Sequence, residues 1–280
     1  MKRRLKKKVK IIFIIIIVIV IISFFNKKED LANEEVKNKV KDEVNNKYVS
    51  SYTNDTYDLI KNMQKKDKRV KKILDNYDDY PSELLEMLSR NDEMIDFVLD
   101  FNEKKGSYTN ASITNVKQGS APLLMQWDKR WGYAAYADSY LAINGCAPTC
   151  LSMVIIYLTG DTSMNPYVIS KYAYENGYYT SGVGTSWALM TKGSKHFGVS
   201  GKEIPLSKDV IYNSLKNGKP IICSMKPGDF TTTGHFIVLA GIKDGKIKVN
   251  DPNSKKRSSK LWEYGVLKDQ IKNLWQFSLY

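Results

Sequence analysis

Histidine is scarce: the 280-residue chain holds only His196 and His235, beside three cysteines. So few histidines argue against a His-rich metal site and leave any cysteine–histidine chemistry with two candidate bases. Three cysteines are too few for a disulfide framework, and their odd number leaves at least one thiol unpaired. Acidic residues are missing from residues 1–28, which carry nine of the Lys and Arg. The formal charge of +13 therefore comes mostly from one end; the remaining chain has 34 basic against 30 acidic side chains. A reading as a basic nucleic-acid binder loses its support.

That basic end reads MKRRLKKKVKIIFIIIIVIVIISFF. Cations precede an apolar run from Ile11 to Phe25, the polarity of a segment whose start stays cytoplasmic. The run is short of the about 20 residues a bilayer span needs, although snorkelling of Lys10 and Lys27 extends its reach. Small residues of the A-x-A type, which mark signal-peptide cleavage, are absent from Ser23–Phe24–Phe25–Asn26–Lys27. The segment reads as an uncleaved single-pass anchor with everything after about residue 28 outside the cytoplasm. The Lys/Asn/Ile-rich composition and the anchor suit a Gram-positive cell surface.

Glycine is missing from residues 29–102, which are charged and carry helix signals. "DYPSELLEML" sets Pro81 at a first helical position, with Leu84, Leu85 and Leu88 along one face. "RNDEMIDFVLDF" offers Asn91 as an N-cap before Ile95, Val98 and Leu99. A further amphipathic helix is predicted over Tyr57 to Leu74. The segment reads as a helical stem spacing a second unit from the membrane, with a prosegment or a docking module as alternatives. Residues 103–120 have few large apolar side chains and read as a linker.

From 121 to 280 the pattern changes to aromatics, glycines and short β-branched runs. Helices are expected at Cys146–Leu158, Tyr167–Asn176 and Ser186–Phe197. Strands are expected at Lys219–Met225, Gly234–Ile242, Lys246–Asn250 and the C-terminal "WQFSLY", with Asp244–Gly245 as a hairpin turn. Helices first and an antiparallel sheet second define an α+β domain.

Within it, "INGCAPTCLSMVIIYL" places Cys146 where a turn becomes an apolar helix. A thiol there faces unpaired N–H groups and the positive end of the helix dipole. Cys150, one turn deeper, reads as core, and a disulfide between the two would be strained. His235 opens the strand "GHFIVLAGI", and Asp251 follows the return strand in "KVNDP", so an antiparallel hairpin makes them neighbours. Taken alone, each has a bland reading: a structural cysteine, a satisfied polar histidine, an Asp-Pro turn. His196 reads as a solvated or capping residue and Cys223 as an inert core thiol. Trp127, Trp131, Tyr133 and Tyr136 fit either a substrate cleft or core packing.

"QWDKRWG" (126–132), "GCAPTCLSMVIIYLTG" (145–160), "GHFIVLAGI" and "NDP", in that order, resemble the C39-like cysteine peptidases of the papain-like superfamily over about residues 121–280. The resemblance implies a papain-like fold with Cys146 as nucleophile, His235 as its base, Asp251 as the orienting acid and Gln126 as an oxyanion donor. It implies acyl transfer with no cofactor and no metal. Ala147 stands where glycine is frequent in the family, and the chain has no phosphate-binding loop, so an ATP-driven exporter's leader-cleaving role is not implied. The expectation is a membrane-anchored extracytoplasmic cysteine peptidase acting on a peptide or protein substrate, cell-wall peptides included, with no nucleic-acid partner. Its rivals are a cell-wall amidase, endopeptidase or transpeptidase on the same fold, and a non-catalytic surface binding module.

Overall fold

A computed structural model describes residues 55–280 apart from 115, 117, 118 and 183. The chain divides into two units at Asp58/Leu59, and the second, Leu59–Tyr280, is compact. The apolar run expected to be an anchor lies outside the described residues, and among the described residues no helix is long and apolar enough to cross a membrane.

The second unit opens with helical residues 59–63, a turn, and the helix Val70–Asp75. The single helix expected over 57–74 is thus divided. Asp67 takes the Arg69 backbone N–H at 3.0 Å and also binds its guanidinium, the local competition by which Asp breaks helices. Helices Ser82–Arg90 and Ile95–Lys104 follow, the first starting one residue after Pro81. Asn91 caps the 3₁₀ turn between them by accepting the Glu93 N–H at 3.2 Å.

The apolar faces of these helices form one core with Met125, Trp127, Tyr133 and Ala142. Phe97 stacks on Tyr133 with ring centroids 4.2 Å apart, and Phe101 meets Tyr140 edge-on at 4.8 Å. Gly132 permits this approach, because a Cβ there would lie 2.7 Å from the Phe97 ring and 2.9 Å from the Trp127 Cα. Residues 105–114 then run as an arm along the following domain, so the expected linker begins inside the last turn of a helix, with Gly106 N–H on the Tyr133 carbonyl and Ile113 N–H on the Thr162 carbonyl, both at 2.8 Å.

Among the described residues ten strands follow: β1 (Ala135–Tyr136), β2 (Ser139–Tyr140), β3 (Tyr179–Thr180), β4 (Gly184–Thr185), β5 (Val199–Glu203), β6 (Ile221–Met225), β7 (His235–Lys243), β8 (Lys246–Asn250), β9 (Leu261–Trp262) and β10 (Ile271–Leu279). Six of them make an antiparallel sheet in the order β5-β10-β6-β7-β8-β9. Alternation along each strand sorts side chains to two faces. Ile222, Val238, Trp275 and Phe277 pack with the long helix Cys146–Thr159. Ile221, Cys223, Ile237, Leu239 and Val249 pack with Ile211 and Leu215 of the helix Lys208–Lys216. The β7–β8 turn places Asp244 at φ 51° and Gly245 at φ 72°, the paired positive φ values of a type I′ hairpin. The helix expected at Ser186–Phe197 is a short helix, Ala188–Thr191, followed by the 3₁₀ turn Gly193–Phe197. The result is a mixed helix and antiparallel-sheet fold.

Candidate active site

Cys146 is the first residue of the Cys146–Thr159 helix and is partly exposed, whereas Cys150 and Cys223 are 0% exposed. All three thiols are free. Burial pushes the Cys150 and Cys223 thiols well up, so neither is a nucleophile. The first intrahelical bond runs from Thr149 N–H to the Gly145 carbonyl at 3.0 Å. The N–H groups of Cys146 and Ala147 therefore have no partner inside the helix, and Pro148 has no N–H to lose.

Gly145 sets the turn into this helix. A Cβ on it would sit 2.3 Å from the Leu141 carbonyl oxygen and 2.8 Å from the Leu141 side chain. Gly145→Ala must therefore displace the Leu141–Asn144 turn or the start of the Cys146 helix. It is expected to lower stability by about 1–3 kcal/mol, read by thermal denaturation, and to slow alkylation of Cys146. A variant matching the parent in both would refute this account of the turn.

His235 opens β7 and is buried. Its Nε2 lies 2.8 Å from Asp251 Oδ1, and the Cys146 side chain is near enough to the ring to favour its charged form. Burial alone would lower the His235 pKa, but the charge and hydrogen bond of Asp251, aided by Cys146, raise it to about 9.

Asp251 directly follows β8 and is 0% exposed. Its Oδ1 also accepts the Asn253 N–H at 2.8 Å, its Oδ2 accepts from Arg257 Nε, and its own N–H donates to Ser258 Oγ at 2.8 Å. Burial pushes this carboxyl up, yet His235 and Arg257 together hold it below the usual carboxylate range. The site thus contains a further charged residue, Arg257, that the sequence motifs do not mark. The signal available for it is Ser254 as an N-cap: its Oγ accepts the Arg257 N–H at 3.1 Å, starting a turn that returns a cation to Asp251.

Gln126 is buried beside the same loops. Its backbone N–H donates to the Pro252 carbonyl at 2.8 Å, and Trp127 Nε1 donates to the Asn253 carbonyl at 3.1 Å. Its amide nitrogen donates to the Ala142 carbonyl at 2.7 Å and the Ile143 carbonyl at 3.2 Å, just upstream of Gly145. The structure therefore brings Cys146, His235 and Asp251 into one chain of contacts and places Gln126 against the segments leading to Cys146 and following Asp251.

Trp131, Tyr133 and Tyr136 are at most 2% exposed and Trp127 is 6% exposed, so these aromatics are interior. His196 is exposed and stacks on Tyr172 with centroids 4.4 Å apart. It lines a groove of about 330 Å³ with Ile155, Asp161 and Phe197, on the far half of the Cys146–Thr159 helix. Among the described residues no group of three or more His, Cys, Asp or Glu side chains could hold a metal ion.

The fold and this arrangement define the class of protein. The Peptidase_C39 like family matches residues 119–278, more than half of the chain, and the protein belongs to that family. Membership supports a peptidase hydrolase. Among solved structures, a provisionally assigned C39-like peptidase from Bacillus anthracis is 16% identical, covering 56% of this chain and 94% of that one with a TM-score of 0.32. No curated protein matches the chain.

Proposed function

We propose that the protein is a membrane-anchored, extracytoplasmic cysteine peptidase that cleaves peptide or amide bonds through Cys146, His235 and Asp251. The observation that carries this reading is the buried His235 ring, held by Asp251 on Nε2 and within electrostatic reach of a partly exposed thiol at a helix N-terminus. A structural histidine needs neither the thiol nor the charged relay behind it.

The Cys146 sulfur, as thiolate, attacks the amide carbon, and a carbon–sulfur bond forms as the carbonyl electrons move to oxygen. The backbone N–H of Cys146 faces that oxyanion. Gln126 joins it by turning one amide hydrogen away from the Ile143 carbonyl, the longer of its two bonds. The His235 imidazolium gives its proton to the leaving amine, the carbon–nitrogen bond breaks, and a thioester remains. Neutral His235 then takes a proton from water, whose oxygen displaces sulfur and restores the thiolate–imidazolium pair. Asp251 stays ionised and stabilises the charged ring.

The test is cleavage of a peptide library and of purified peptidoglycan, in parallel, by the full-length chain across pH. With its pKa raised to about 9, His235 is protonated through neutral pH and loses its proton as pH rises past about 9. Acylation therefore holds at neutral pH and falls about tenfold per unit above 9, because each unit removes nine-tenths of the remaining imidazolium. The same shift favours the folded state fully below the ordinary histidine pKa of 6.5, and that contribution is lost as pH rises through about 9. The Asp251 contribution has the opposite sense, lost as pH falls through its lowered value. An alkaline limb at 6.5, or no cleavage of either substrate class, would sink the proposal.

A further inference from the structure

The loops that carry the acid and the histidine are both gripped by one short stretch of the upstream helical segment, Arg90 to Glu93. Glu93 Oε1 accepts from Ser254 Oγ at 2.7 Å and from the Lys256 N–H at 3.1 Å, while Oε2 accepts the Lys255 N–H at 3.0 Å. Asn91 is 5% exposed. Its Nδ2 donates at 2.5 Å to the Asn253 carbonyl, the oxygen that also takes the Trp127 indole N–H. Asp92 pairs with Lys256. On the other side the Arg90 guanidinium donates to Thr232 Oγ1, three residues before His235.

These contacts run onward into the site. The short helix Lys255–Ser258, whose first N–H groups Glu93 holds, carries Arg257 to Asp251 Oδ2 and Ser258 to the Asp251 N–H. Asn253, fixed by Asn91, gives its own N–H to Asp251 Oδ1. Three of the partners that orient Asp251 are thereby anchored in a segment some 160 residues upstream of it.

We infer that residues 90–93 clamp the Asp251 loop, with Glu93 and Asn91 as positioning residues that keep the acid aligned on His235. The inference rests on the triad reading above and carries it further: residues 59–104 belong to the working enzyme and are not a removable prosegment or a passive spacer. Without the clamp the Lys255–Ser258 turn loosens, Arg257 and Asn253 leave Asp251, and the ring facing Cys146 is no longer held in its charged, aligned form.

The test uses iodoacetamide on the full-length chain, with adduct formation at Cys146 followed by mass spectrometry at pH 6 and pH 10 and the melting temperature recorded alongside. For Glu93→Ala the rate at pH 6 is expected to fall about tenfold, the thiolate lost when its stabilisation by the aligned ring weakens by one unit's worth, with the rate at pH 10, where the thiol ionises without that help, within about twofold of the parent. Glu93→Gln keeps an acceptor oxygen and is expected to recover part of the loss; Asn91→Ala should fall in the same sense. A Glu93→Ala protein slowed equally at both pH values, or not at all, overturns the clamp while leaving the triad standing. If Glu93→Ala does not fold, Glu93→Gln and Asn91→Ala decide by the same pH contrast, and an unchanged rate at pH 6 in both overturns it. A parent chain whose Cys146 reacts at pH 6 no faster than in urea overturns the triad reading, and the clamp with it.

Discussion

Replacing Cys146 with alanine should lower kcat/KM for peptide cleavage by on the order of 10⁴- to 10⁶-fold while leaving stability within about 1 kcal/mol. The side chain is partly exposed at the start of a helix whose deeper positions, Cys150, Leu151, Val154 and Ile155, form the core. Its removal opens little cavity and takes away the sulfur proposed as nucleophile. Asp251→Ala should behave differently. The carboxylate is fully buried between His235 and Arg257, so its loss strands a cation and costs about 3–5 kcal/mol of stability besides activity. Chemical denaturation and cleavage kinetics on the two variants separate the roles. A Cys146→Ala protein that still cleaves, or an Asp251→Ala protein as stable as its parent, contradicts the arrangement.

What could be read beforehand follows from how local each signal is. The β7–β8 hairpin was legible because Asp-Gly demands one turn type, and that turn sets His235 and Asp251 on neighbouring strand ends. The helix beginning at Cys146 was legible from its Gly/Pro entry and apolar run. The strand Val199–Glu203 was not: "VSGKE" has one large apolar residue, and the strand exists because β10 offers it a partner. Helix Lys208–Lys216 buries only Ile211 and Leu215 among its apolar side chains, a stripe too short to stand out even between Pro205 and Gly218. Helix ends were legible to within about a residue where a cap is present, as at Asn165, whose side chain takes the Tyr167 and Val168 N–H groups, and less so at Asp67, which divides an expected helix.

The site divides along the same line. Cys146, His235, Asp251 and Gln126 lie in motifs whose residue types announce their chemistry. Arg257 and Glu93 do not, because one sits in the lysine-rich surface stretch "NSKKRSSK" and the other in an acidic helix start. Both look like solvated charges until the chain folds. A charged side chain's role depends on what the fold brings opposite it, and sequence separation hides that.

Phe97→Ala carries the second large effect. The ring is 1% exposed, stacked on Tyr133 and close to Gly132, in a core built mostly by the upstream helical segment and joined by Met125, Trp127, Tyr133 and Ala142. Truncating a buried phenylalanine costs about 3–5 kcal/mol, a large share of the about 5–15 kcal/mol that holds a typical domain together. The control is Val266→Ala, whose side chain is 44% exposed and whose loss should stay within about 0.5 kcal/mol. Because the Phe97 core includes Trp127 and Ala142, on either side of the Gln126 amide contacts, the damage should not stay within the helices. Unfolding should remain one transition at a lower midpoint, with Cys146 becoming less reactive at neutral pH in parallel. Two separate transitions, with only the first shifted and Cys146 reactivity untouched, would mean that the helices fold apart from the hydrolase. In that case the clamp at Arg90–Glu93 would have no rigid base from which to act.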